Sequence, residues 1–183
     1  MNQELEKNIL KTGTSLVGIV CKDGVIMAGD KRTTAGNMVM NKNKQKVVQI
    51  SDNLIISGTG TASDIEMLKK IVQAELRLKE LKSKKQTTIK EAANFIANMS
   101  YRNIRQPTMI PFIAGIMLGG LNEDGTTELY SIEPAGSVMK VENFDANFSS
   151  GMPFILGLLE RQYKKDLTIQ QGIELAIEAR KSS

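Results

Sequence analysis

The sequence predicts an α+β fold in which two antiparallel sheets stack face to face with helices covering the outside. Three observations lead there. Apolar runs of strand length fill the chain up to Gly60, the apolar period then turns helical as far as Pro107, and the same succession of strands and then two helices repeats to the C-terminus. Elements grouped this way argue against a parallel α/β sheet, and a helix pair after each β block suits two stacked sheets with helices outside. The 183 residues suffice for one sizeable core and are short for two, so a single globular domain is expected.

In chain order, "LVGIVC" and "VIMAGD" flank Lys22-Asp23-Gly24, and an Asp-Gly pair between apolar runs signals a hairpin. "KVVQI" and "NLIISG" repeat the pattern around Ser51-Asp52. Beyond Gly58-Thr59-Gly60, Ile65, Leu68, Val72 and Leu76 follow helical spacing, with a second apolar line of Met67, Ile71, Ala74 and Leu78 beside it. That second line suits either a contact surface or core filling. Ser63 and Glu66 predict a capping box at the start of this helix, and Thr88 with Glu91 predict another at the start of the next. The second helix carries Ile89, Ala92, Phe95, Ile96 and Met99 toward Pro107. Strands return with "FIAGIMLGG", "TELYSI" and "SVMKVENFDANFSS", separated by the turn compositions Asn122-Glu123-Asp124-Gly125 and Pro134-Ala135-Gly136. Pro153 opens a third helix, and Thr168 with Gln171 box a fourth.

Composition excludes several kinds of function. The net charge of +4 is small, and its most visible cluster (Lys79, Lys82, Lys84, Lys85) sits at a helix end in a chain without Trp, so no nucleic-acid partner is expected. No segment has the apolar length of a membrane span, and the leader "MNQELEKNILKTG" lacks a secretory apolar block, which predicts a cytoplasmic protein with no membrane partner. The single cysteine, Cys21, falls in an apolar strand and is expected to be a buried, inert thiol. The chain has no histidine, which removes Ser-His-Asp and Cys-His arrangements and histidine-held metals. A hydrolase built from this sequence needs a different base.

The pair Gly13-Thr14 stands immediately before the first predicted strand. From the residues alone two readings stay open: a frayed terminus, or a leader removed by cleavage between the two. The second has chemical content. A threonine freed at the N-terminus carries its own base, because an α-amine with a pKa of about 7.7–8.0 sits beside the hydroxyl. Gly13 tolerates the strained backbone that attack on its carbonyl requires.

The string "TSLVGIVCKDGVIMAGDKRTTAGNMVMNKNKQKVVQI" resembles the opening of archaeal-type proteasome core β subunits, threonine proteases of the N-terminal-nucleophile hydrolase class. The likeness continues through "SGTGTASD", "IAGIMLGG", "LYSIEPAGS" and "SSGMPFILGLLERQY", covering nearly all of the chain from Thr14 onward. The resemblance implies a four-layer αββα sandwich, with residues 1–13 a propeptide removed by autocleavage and 14–183 the hydrolase domain. It implies Thr14 as nucleophile, Asp30, Lys46 and the nearby Ser150 as the other members of the catalytic group, and the Gly58 N–H as oxyanion donor. Thr33 and Thr34 would pair with an extended substrate on one side and Gly58 and Gly60 on the other. Ile56 would floor the specificity pocket, implying cleavage after apolar residues, with acidic residues second because of nearby Lys44. The implied partners are α subunits and other β subunits in heptameric stacked rings, an ATPase unfoldase acting through the α ring, and unfolded protein substrates. No cofactor or metal is implied.

Taken singly, these residues have plain readings: Lys46 an outward strand lysine, Asp30 a solvated strand end, Thr33 and Thr34 β-formers, Ser150 a turn residue. Their joint order separates them from that background. The family usually continues past the last helix into an Asp-x-x-Ser element and closing strands, which have no equivalent before Ser183. C-terminal strands are therefore expected to be missing, and a non-catalytic structural ring subunit stands as the alternative. A peptidase of the simpler bacterial proteasome-like kind, forming rings without α subunits, is a third reading.

Overall fold

The computed structural model describes residues 14–35, 38–109 and 111–182; Gly13 and the rest of the expected propeptide lie outside the described residues. β1 (Leu16–Cys21) and β2 (Gly24–Gly29) form the first hairpin, paired from Leu16 opposite Gly29 to Cys21 opposite Gly24. Its turn residues are Lys22 and Asp23, so Gly24, expected in the turn, already belongs to the strand. β3 (Thr33–Ala35) and β4 (Met38–Asn41) form a separate two-stranded ribbon. β5 (Val48–Gln49), β6 (Leu54–Gly60), β7 (Ala114–Leu121), β8 (Thr127–Ile132) and β9 (Val138–Lys140) lie side by side in that order, antiparallel throughout. β10 (Phe144–Asp145) returns to the free side of β1, giving the order β10-β1-β2.

The period-two alternation of each strand sorts its side chains between layers. Val17, Ile19 and Cys21 of β1 pack with Ile155 and Leu159 of α3 (Met152–Gln162) and with Leu175, Ala176 and Ala179 of α4 (Ile169–Lys181). Val20 turns the other way and, with Val25 and Met27, meets Met117 and Leu129 from the larger sheet and Val141 just after β9. Ile116 and Leu118, neighbours of Met117, point outward to Leu68 and Val72 of α1 (Ala62–Ser83) and Ala92, Ala93 and Ile96 of α2 (Ile89–Ile104). Three apolar seams thus hold four layers, helix-sheet-sheet-helix, and the α+β expectation holds.

The helix starts divide. Thr88 accepts from the Glu91 N–H while the Glu91 carboxylate accepts from the Thr88 N–H, and Thr168 and Gln171 do the same, so both boxes are present. The box expected from Ser63 and Glu66 does not form. α1 opens two residues earlier, with Thr61 at its N-cap and no side-chain cap bond. Glu66 is drawn to Lys44, and Asp64 instead accepts from the Ile113 N–H at 3.1 Å, tying the helix start to the entry of β7. Gly60 makes the strand-to-helix junction with φ of 120°, a conformation that L side chains rarely adopt, and a side chain there would run into the Ile113 carbonyl.

On α1 the first apolar line is buried, whereas Met67 and Leu78 of the second line lie exposed together with Leu81. Core filling does not account for them. Cys21 is buried as expected, and burial with the nearby Asp23 charge pushes its thiol pKa up. Among the described residues no helix is long and apolar enough to cross a membrane.

Candidate active site

The β1–β2 hairpin register decides where the site assembles. Pairing Leu16 with Gly29 brings the residues before β1 beside those after β2, and the Asp30 N–H donates to the Ser15 carbonyl at 3.1 Å. The Asp30 carboxylate is fixed by two backbone donors, Ser15 N–H on Oδ1 and Arg32 N–H on Oδ2, each at 2.9 Å. Lys46 arrives from the segment between β4 and β5. Its Nζ lies 2.8 and 2.9 Å from the two Asp30 oxygens and 3.0 Å from Thr14 Oγ1. The side chains of Lys46 and Asp30 are only 11% and 14% exposed, so the pair is largely withdrawn from water and its field acts at close range on the threonine hydroxyl.

The Lys46 main chain is itself held. Its carbonyl accepts from Ser57 Oγ of β6 at 3.0 Å and from Lys69 Nζ of α1 at 2.7 Å. Ser150, just before α3, approaches Thr14 from the other side: both its N–H (2.9 Å) and its hydroxyl (2.8 Å) donate to the Thr14 carbonyl. Ser150 thus binds the Thr14 backbone and not Oγ1. Three residues earlier, Asn147 ties the two sheets together. Its Nδ2 donates to the Ile116 carbonyl (2.9 Å) and to Ser131 Oγ (3.1 Å), and the Thr59 hydroxyl lies 3.0 Å from both its Oδ1 and its carbonyl oxygen.

Thr14 opens onto a cleft of about 650 Å³. Thr33 and Thr34 stand on its wall, as do Gly58 and Gly60, so the expected backbone edges share one space with the hydroxyl. Ile56 does not reach it. That side chain is fully covered in the core beneath α1, and its cross-strand partner Val48, with Ile50 and Ile65, gives the cleft its apolar surface. Ile56, expected as the floor of a specificity pocket, therefore does not line this cleft, whereas those three residues do.

The sequence reading also passed over Lys69 and Asn147. Lys69 lies on the cleft wall with its pKa pushed down to about 8, first by burial and then by the Lys44 charge. A signal for it existed: a lysine four residues after Ile65 and three before Val72 lies on the line of the apolar stripe. Asn147 holds φ of 39°, a left-handed conformation that Asn tolerates better than most residues.

A threonine hydroxyl contacting a desolvated ammonium, two residues before a strand and beside a cleft with open backbone edges, is an arrangement for attack on a carbonyl. Sequence comparison identifies the family: the model "Proteasome subunit" matches residues 10–183. The chain belongs to the proteasome subunit family. Among its relatives, a "Proteasome subunit beta" of Nanoarchaeum equitans is 34% identical over 93% of this chain and 84% of its own. A "Proteasome subunit beta 1" of Thermococcus gammatolerans is 39% identical, covering 93% of this chain and 81% of its own. A "Proteasome subunit beta" of Methanococcus maripaludis is 32% identical over 100% of this chain and 80% of its own. Membership of the proteasome family accords with the four-layer α+β architecture.

Proposed function

We propose that this chain is a catalytic β subunit of a proteasome core particle, a threonine endopeptidase that cuts unfolded proteins into short peptides. The observation that carries the reading is Lys46 Nζ bridging Thr14 Oγ1 and the Asp30 carboxylate. In processing, Oγ1 attacks the Gly13 carbonyl carbon, the Gly13–Thr14 C–N bond breaks with a proton passing to the nitrogen, and water hydrolyses the resulting ester. Residues 1–13 leave with a carboxyl end and the Thr14 amine is free.

In turnover that amine takes the hydroxyl proton as Oγ1 attacks the substrate carbonyl, then hands a proton to the departing nitrogen. Water hydrolyses the acyl ester with the same amine as base. Lys46, paired with Asp30, sets a positive charge beside the Thr14 hydroxyl that favours its deprotonation, and the Gly58 N–H is the oxyanion donor in this scheme. Substrate lies extended between Thr33–Thr34 and Gly58–Gly60, read chiefly through its backbone. Assembly with α subunits and other β subunits in heptameric stacked rings, feeding by an ATPase unfoldase and residence in the cytoplasm belong to the same proposal; family membership supports them.

The test is co-expression with α subunits, followed by N-terminal sequencing and assay with a fluorogenic peptide. A mature chain starting at Thr14 is expected, and Thr14→Ala should retain the leader and lose at least about 10³-fold in hydrolysis. Undiminished hydrolysis by that variant would sink the proposal. An uncleaved leader with no turnover in the unsubstituted particle would assign the chain a structural place in the ring.

A further inference from the structure

The cleft holds more positive charge than its carboxylates neutralise. Arg32, Lys44, Lys46, Lys69 and Lys70 all stand on its wall, whereas Glu66 is the carboxylate among the lining residues. Two of the cations are spoken for: Lys46 by Asp30, and Lys44 by Glu66. Lys69 is different. Its ammonium gives one hydrogen to the Lys46 carbonyl at 2.7 Å, and among the described residues no carboxylate lies within ion-pair distance of it. It is largely withdrawn from water, and a cation in that position without a counter-ion gains from any anion that enters.

Its place makes that anion a substrate group. Lys69 contacts the backbone of the residue whose side chain touches Thr14 Oγ1, so a single residue, Lys46, separates the unpaired ammonium from the nucleophile. Val48, Ile50 and Ile65 line the same cleft with apolar surface suited to methylene groups. An entering side chain meets aliphatic walls and an ammonium with hydrogens to spare.

We propose that Lys69 is a specificity-determining residue which seats the carboxylate of an acidic substrate side chain, glutamate above all, next to the bond attacked by Thr14. This rests on the reading of the cleft as a peptide site. It replaces the apolar preference implied when Ile56 was taken as the pocket floor. Glu66 does not fill the seat because its carboxylate is engaged by Lys44 at the cleft mouth, where the two side chains are 43% and 42% exposed.

The experiment is calorimetric titration of the assembled protein with N-acetylated tripeptide amides that end in either Glu or Gln and are otherwise identical. The Glu peptide is expected to bind about tenfold tighter, as a charge-assisted hydrogen bond in a half-buried setting should. Lys69→Met should bring the two together, and Lys70→Met, which leaves the Lys44–Glu66 pair intact, should leave the difference in place. Because the groups facing Lys69 include Lys44, Lys46, Lys70 and Glu66, the preference is also followed with pH. It should shrink as pH rises through about 8, where Lys69 loses its charge. Equal binding of the two peptides by the unsubstituted protein overturns the proposal without recourse to any variant, as does a preference that survives Lys69→Met. Turnover separates this from the underlying reading. Selective binding of the Glu peptide with no cleavage of any peptide upholds the seat and removes the peptidase, whereas cleavage with equal kcat/KM for matched Glu and Gln substrates does the reverse.

Discussion

Lys46 commits all three of its ammonium hydrogens, two to Asp30 and one to Thr14, and so has a single arrangement in which every one is satisfied. Lys69 has no such arrangement, and its protonation is where stability and pH meet. Its folded pKa of about 8 lies below the ordinary lysine value, so the unfolded chain holds more protons than the folded one from there up to about 10.4. Stability contributed at this site therefore rises with pH across that window and is lowest below it. Urea unfolding from pH 7 to 10 should show an upward slope that Lys69→Met flattens; identical slopes in the two proteins would contradict the depressed pKa. Thr14, Asp30 and Lys46 could be found in the sequence because each sits in a run matching a known pattern. Ile56 could not be placed, since alternation says which face of β6 it takes but not that α1 seals that face.

At the scale of the element, helix starts tell the same story. Thr88→Ala and Thr168→Ala each remove a formed cap and should cost about 1 kcal/mol of stability, read by chemical denaturation. Ser63→Ala, which has the same motif in the sequence, should cost a few tenths at most, because Thr61 holds the N-cap position and Glu66 is paired elsewhere. A loss of about 1 kcal/mol at Ser63 would mean that the box forms. The motif was legible in all three places. What decided between them was competition: the first turn of α1 lies against Ile113 and Lys44, partners that sequence spacing does not reveal.

At the scale of the whole molecule, the site stands where the two sheets and α1 converge, so its geometry depends on contacts far from Thr14 in sequence. Asn147 is the clearest case, fastening the turn after β10 to β6, β7 and β8 while Ser150, three residues on, grips Thr14. Asn147→Ala leaves the Ile116 carbonyl and the Ser131 and Thr59 hydroxyls without that partner and puts Ala at a positive φ, so it should cost about 2 kcal/mol or more in urea unfolding. In the assembled peptidase it should lower kcat more than it raises KM, because Thr14 loses orientation while the cleft walls remain; the reverse pattern would place Asn147 in substrate binding. The strand and helix succession and the three capping motifs were legible in the sequence alone, because periodicity and cap spacing are local properties, and the candidates Thr14, Asp30 and Lys46 came from the order of motifs shared with a known family. The desolvated Asp30–Lys46 pair, the cleft wall of Val48, Ile50 and Ile65, the unpaired Lys69 and the bridging Asn147 were decided only in the folded molecule. Burial and charge pairing depend on which distant segments pack together, and no stretch of chain carries that information by itself.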